Sequence, residues 1–206
     1  MSVLYFLARI ILYPFFKIFY LLQIKRPRDE SSKRGCIICA NHISAADPIL
    51  IGLGMKRRLM FMAKAELWKN KLLKPFLKIL AVPVSRGSAD LNAIRTSIDM
   101  IDRGRALCIF PQGTRTHKRP SQNAAPHGGI GMIASKAKCD IIPAYIYTKD
   151  YKLKIFRRIK VIFGDPIRYD ELGFEKNNMA EMNNATKLIW DRICMLDPIT
   201  DGDKER

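Results

Sequence analysis

His42 and Asp47 stand five residues apart in the string Asn41-His42-Ile43-Ser44-Ala45-Ala46-Asp47, directly after the apolar run of residues 36–40. On a straight helix, five residues rotate by about 140°, so the two side chains would not meet. They meet if His42 closes a strand and Asp47 opens a helix, because the turn between them then folds back. The chemistry such a pair offers is proton transfer: imidazole is a general base near neutral pH. A carboxylate on one ring nitrogen fixes the tautomer and stabilises the imidazolium. Taken alone, the string is better explained by a loop histidine beside an ordinary Asp-Pro helix cap.

Two further strings offer sites for an anion. Phe110-Pro111-Gln112-Gly113-Thr114-Arg115-Thr116 also follows an apolar run, and a glycine beside Thr114 and Arg115 can turn N–H groups, a hydroxyl and a guanidinium toward a phosphate. Val82-Pro83-Val84-Ser85-Arg86-Gly87 places Arg86 between a strand and a helix, another phosphate-friendly position. Alone, the first fits a plain turn equally well, and the second fits a surface arginine better.

The elements that must position these strings are legible from apolar spacing. Residues 36–40, 59–63, 81–84, 106–110, 141–147 and 159–164 are short apolar runs and read as strands. Asp47-Pro48 reads as a helix start, with Asp47 as N-cap and Pro48 at N1, running to about Met55. Helices are expected over 66–80, 90–103, 128–138 and 178–196; Leu91, Ile94, Ile98 and Ile101 mark the second by their spacing, and Gly104 ends it. Strands alternating with helices give an α/β fold, a layered central sheet flanked by helices.

The chain has 206 residues, enough for one domain with a short appendage, and Lys+Arg outnumber Asp+Glu by 36 to 19, a net charge of +17. Such a surface attracts polyanions: nucleic acid, anionic headgroups or an acidic carrier. No DNA- or RNA-binding motif accompanies the charge, so no nucleic-acid partner is expected. The five cysteines are odd in number and four of them have aliphatic or Met neighbours, which reads as buried, reduced thiols. Cys36 and Cys39, three apart on a strand, point to opposite faces and form neither a redox nor a zinc pair.

Residues 3–24 are the most apolar stretch, but Arg9 and Lys17 interrupt it. On a helical wheel Tyr5, Arg9, Tyr13, Lys17, Tyr20 and Gln23 share one face about 120° wide, the pattern of a helix lying in a membrane interface. A bilayer-spanning segment and a helix packed on its own domain are the alternatives. The cations at 25, 26, 28, 33 and 34 would keep the remaining chain on the cytoplasmic side. The basic segment 66–80, with Trp68, is expected to make a second bilayer contact.

Together and in this order, the strings resemble the 1-acylglycerol-3-phosphate acyltransferase family, part of the glycerolipid acyltransferase superfamily, over roughly residues 36–147. Asn41-His42 with Asp47 is similar to its N-H-x4-D motif, and Phe110 to Thr116 to its F-P-E-G-T-R-S motif with Gln112 and Thr116 changed. Val84-Ser85-Arg86 is similar to its second motif and Ile142-Pro143-Ala144 to its fourth. The resemblance implies a membrane-associating helix over 1–27 and a glycerolphosphate acyltransferase-like domain over 28–206. It implies that His42 deprotonates a free glycerol hydroxyl, with Asp47 orienting it. Arg86, Gln112, Gly113, Thr114 and Arg115 would bind substrate. The donor would be acyl-CoA or acyl carrier protein, with no further cofactor and no metal, and the product phosphatidic acid. Another acceptor, such as glycerol-3-phosphate or a different lysolipid, and a catalytically weak lipid-binding homologue remain open alternatives. The expected location is the cytoplasmic face of the membrane, with monotopic attachment and anionic lipids as partners.

Overall fold

The computed structural model describes residues 3–27, 34–71, 74–84, 91–120, 126 and 129–199. In chain order the elements are α1 (Val3–Phe19), β1 (Gln23–Lys25), β2 (Cys36–Ala40), α2 (Asp47–Gly54), β3 (Leu59–Lys64), α3 (Lys74–Leu80), β4 (Ala81–Val84) and α4 (Leu91–Asp102). They continue with β5 (Ala106–Ile109), α5 (Gly129–Ala137), β6 (Asp140–Tyr147), β7 (Lys160–Phe163) and α6 (Met179–Cys194), and two short 3-10 turns lie at Ala65–Lys69 and Tyr169–Leu172.

The strands form one seven-stranded sheet in the order β1-β7-β6-β2-β5-β3-β4. Neighbours run parallel except β6 and β7, which pair antiparallel. All five residues of β2 are buried, so both sheet faces must be covered there. Ile37 and Cys39 face a core built with α4, α5 and α6, while Cys36, Ile38 and Ala40 face a second core built with α1 and α2. Cys36 and Cys39 therefore lie on opposite faces as expected, and all five cysteines are buried thiols outside any disulfide.

Pro143 sits inside β6, a place that proline seldom takes because it cannot donate to the ladder. On that side of β6 the Ile141 N–H donates outward to the Ile167 carbonyl, and the Gly164 N–H donates in to the Pro143 carbonyl. The missing donor of Pro143 thus falls where β7 has ended and the chain bows out over residues 164–166, so no rung is lost.

Two expected helices differ. Residues 66–80 do not form one helix: a 3-10 turn ends at Lys69 and α3 begins at Lys74. Pro75 falls in the first turn of α3, where its missing N–H needs no partner, whereas a helix continuing from residue 71 would need that N–H. The N-terminal helix ends at Phe19, and residues 23–25 pair with β7 as an edge strand. Its wheel also divides otherwise than expected. Leu12 and Phe16 pack against the core beside α2, and Arg9 donates to the carbonyls of Met55 and Leu53 at the C-terminus of α2. Arg26 donates to the neighbouring Gly54 carbonyl. Arg9 is thus a helix cap and does not snorkel, whereas Lys17 is exposed. Among the described residues no helix is long and apolar enough to cross a membrane.

Where α5 crosses α6, a Cβ added at Gly131 would lie 2.0 Å from the Met182 carbonyl oxygen. In an ordinary helix Gly→Ala stabilises by about 1 kcal/mol. Here the sign should reverse: Gly131→Ala is expected to destabilise by about 1–3 kcal/mol in urea titrations, as overpacking of a close contact does.

Candidate active site

β2, β3, β4, β5 and β6 are mutually parallel, so their C-terminal ends share one edge of the sheet. His42 follows β2 there and Phe110 follows β5. Asn41, fully buried, uses its side-chain amide as a substitute peptide: it donates to the Ile146 carbonyl at 3.0 Å and accepts the Ile146 N–H at 2.7 Å. One more rung of the β2–β6 ladder is satisfied this way while the main chain of β2 turns off toward His42.

The His42 Nδ1 lies 2.7 Å from Oδ2 of Asp47, a carboxylate with no exposed surface, while the imidazole keeps 18% exposure. The same oxygen accepts the N–H groups of Ile43 and Ser44 at 2.6 and 2.8 Å. Asp47 is therefore not an N-cap; that position falls to Ala46, and Asp47 with Pro48 forms the first turn of α2. Its carboxylate points back into the preceding loop, which is why residues five apart in sequence make contact. With two donors already on Oδ2, the imidazole contact is Nδ1–H donating to the carboxylate, and Nε2 is left to take a proton. The ring stacks on Phe110 at 4.2 Å between centroids and 17° between planes, which fixes its orientation.

Residues 110–116 are locked to the His42 loop from the other side. Gln112 accepts the His42 N–H at 2.8 Å through Oε1 and donates from Nε2 to the Thr116 hydroxyl at 3.1 Å. The Thr116 N–H donates back to the His42 carbonyl at 2.8 Å. Gln112, expected to touch substrate, thus has both amide atoms engaged within the protein. Gly113 closes the turn onto the Phe110 carbonyl at 2.9 Å with φ of 66°, a conformation a side chain would strain. Gly113, Thr114 and Arg115 are exposed at the same edge. Arg86 lies outside the described residues, as do the neighbouring Ser85 and Gly87; β4 delivers the chain to this edge at Val84.

Sequence reading missed three supports. Asn41 was signalled by a polar side chain directly after a fully apolar run. Phe110 was visible only as the end of a strand. Asp197 carried no signal: it is buried near the C-terminus and accepts from Arg119 at 2.7 Å and the Tyr145 hydroxyl at 2.9 Å, pinning the continuation of the 110–116 loop. Burial, with the neighbouring Tyr151 and Asp197, holds the Tyr145 hydroxyl protonated well above its ordinary range. Cys108 lies in the core, and burial raises its thiol far above the usual range, so it is no nucleophile.

The fold and its loop edge define an α/β protein with a His–Asp pair at the C-terminal edge of a parallel sheet. A family model described as Acyltransferase matches residues 22–147, and the chain belongs to this acyltransferase family. A 1-acyl-sn-glycerol-3-phosphate acyltransferase of Bacillus subtilis (strain 168) is 31% identical over 157 residues, covering 73% of this chain and 77% of that protein. A probable 1-acyl-sn-glycerol-3-phosphate acyltransferase of Mycoplasma genitalium is 28% identical over 192 residues, covering 82% of this chain and 69% of that protein. The crystal structure of the 1-acyl-sn-glycerophosphate acyltransferase PlsC from Thermotoga maritima superposes with a TM-score of 0.64 at 20% identity, covering 90% of this chain and 76% of that one, which shows the same fold.

The Gln112 geometry yields a test. Gln112→Glu keeps an oxygen for the His42 N–H, and the Thr116 hydroxyl can rotate to donate to the second oxygen. Turnover should stay within a few-fold of wild type. Gln112→Leu removes the acceptor and should lower turnover by about 10-fold, since loss of one such bond is worth about 1–1.5 kcal/mol. Steady-state kinetics on the folded variants decides.

Proposed function

We propose that the protein transfers a fatty acyl group from a thioester, acyl-CoA or acyl carrier protein, to the free hydroxyl of 1-acyl-sn-glycerol 3-phosphate, giving phosphatidic acid. The observation that carries this reading is the His42–Asp47 pair, a partly exposed imidazole held at 2.7 Å by a wholly buried carboxylate. The named activity of the Bacillus subtilis relative supports the acceptor.

In this reading the Nε2 of His42 removes the proton from the acceptor hydroxyl as its oxygen attacks the thioester carbonyl carbon. The tetrahedral intermediate collapses, the C–S bond breaks, and the departing thiolate takes the proton back from His42. An ester and a free thiol result. Asp47 holds the imidazole in the required tautomer and steadies the imidazolium while it lasts. A thioester is already activated, so no acyl-enzyme is needed. Gly113, Thr114 and Arg115 bind the acceptor phosphate, with Arg86 assisting; a planar guanidinium suits phosphate oxygens taken two at a time.

The acceptor is a lipid, and the site must reach a bilayer surface. The outer face of α1 leaves Phe6, Leu7, Ile10, Ile11, Phe15 and Ile18 between 44% and 69% exposed. That face lies in the plane of the cytoplasmic membrane surface as a monotopic anchor, with its other side packed on α2. The wide positive surface suits anionic headgroups and an anionic donor alike.

His42→Ala should lower turnover by on the order of 10²-fold or more, the usual scale of general-base catalysis, and Asp47→Asn should lower turnover with little change in acceptor binding. Wild-type turnover in a folded His42→Ala protein would remove the imidazole from the reaction. For the phosphate contact, Arg115→Ala should raise the KM for the lysolipid several-fold while the KM for the thioester stays nearly constant; the opposite pattern would assign Arg115 to the donor.

A further inference from the structure

The β6–β7 connection, residues 148–159, leaves the sheet at the edge that carries His42, because β6 runs parallel to β2. Its tip exposes Ile155 by 57% and Phe156 by 68%. Phe156 has φ of 60°, a conformation that turns normally reserve for glycine or asparagine. A large apolar side chain held outward at such a position costs stability in water and calls for an apolar environment around it.

The turn is fastened to the end of α1. The Phe156 N–H donates to the Phe19 carbonyl at 2.6 Å, the Ile159 N–H to the Tyr20 carbonyl at 3.1 Å, and the Phe19 and Phe156 rings lie 6.2 Å apart. Ile18 and Phe19 are themselves 60% and 39% exposed, so the apolar tip continues the outer face of α1. The same connection carries exposed Lys149, Lys152, Lys154, Arg157 and Arg158, α1 adds exposed Lys17, and the acidic residue among them, Asp150, pairs with Lys154 at 2.9 Å. The turn also meets the catalytic edge, where the His117 ring lies 3.3 Å from the Tyr151 carbonyl.

We infer that Ile155 and Phe156, with the end of α1, form a membrane-inserting turn that seats the His42 edge against an anionic bilayer. Apolar side chains at the tip enter the acyl boundary, and the cations that flank it in sequence meet lipid phosphates, the combination that gives interfacial segments their preference for anionic surfaces. An acidic protein surface would satisfy the cations but not an exposed Ile-Phe tip. The inference deepens the lipid-acceptor reading above, and its test reads binding without any substrate, so the two can fail separately.

The five native cysteines are buried, so Phe156→Cys can be labelled selectively with an environment-sensitive fluorophore. Its emission should rise severalfold with vesicles of phosphatidylglycerol and phosphatidylcholine and be quenched by brominated acyl chains. The rise should be far smaller with phosphatidylcholine alone. In cosedimentation with the full chain, Ile155→Ser/Phe156→Ser should weaken binding to the anionic vesicles by on the order of 10-fold. Its melting temperature and its turnover on detergent-dispersed lysolipid should stay near wild type. Unchanged emission at position 156, or wild-type vesicle binding by the double variant, would overturn the inference. So would intact vesicle binding with a raised KM for the carrier-protein thioester, which would give the turn to the donor.

Discussion

One carboxylate oxygen, Oδ2 of Asp47, gathers three donors within 2.8 Å: the His42 ring and the N–H groups of Ile43 and Ser44. Taking a carboxylate out of water is costly unless hydrogen bonds replace the lost hydration. The other oxygen, Oδ1, has no hydrogen-bond partner among the described residues, so Oδ2 carries that replacement. The loop from strand to helix must therefore keep the shape that brings these donors together, and the position of the imidazole follows from it. α2 is held at its other end too, where Arg9 and Arg26 satisfy the carbonyls of Leu53, Gly54 and Met55. The helix that carries the carboxylate is thus fixed at both ends, one of them by the N-terminal segment.

The parallel sheet supplies the rest of the constraint. Loops that are distant in sequence converge because parallel strands end on the same side, a property of the fold that concentrates reactive groups at one edge. The convergence is then made rigid by short polar contacts. Gln112 joins the two loops through one amide group, and Asn41 joins β2 to β6 through another. Neutral amides suit these jobs because each must donate and accept at once. The Gln112 departure from the family motif is intelligible in these terms: the position calls for an acceptor toward His42, and the partner at Thr116 adapts to what stands beside it.

The N-terminal helix has two faces with different tasks. One stripe, Arg9, Leu12 and Phe16, belongs to the domain, capping and packing beside α2. The other is apolar and outward, continuous with the Ile155-Phe156 turn. A helix that both caps the helix carrying Asp47 and presents an apolar outer face couples the height of the site to whatever covers that face. Membrane attachment and active-site geometry would then be parts of one rigid arrangement.

Local pattern was enough to read most of this protein. Short apolar runs gave six of the seven strands nearly to the residue, because a strand buried on both faces needs an unbroken apolar sequence. The string at 41–47 offered a contact between His42 and Asp47 through the turn between them, and the structure brings the two to 2.7 Å. Sequence alone could not show β1, whose three residues pair only because β7 lies beside them. Nor could it show that Arg9 faces a helix end instead of lipid, since a helical wheel records angle and not neighbour. The use of Gln112 within the protein and the anchoring of Arg119 by Asp197 are likewise tertiary facts, because each joins residues 70 or more positions apart that only the packed chain brings within hydrogen-bond reach. The Asp47 carboxylate, by contrast, is held by donors three to five positions away in its own loop, and what the tertiary structure decides there is its burial.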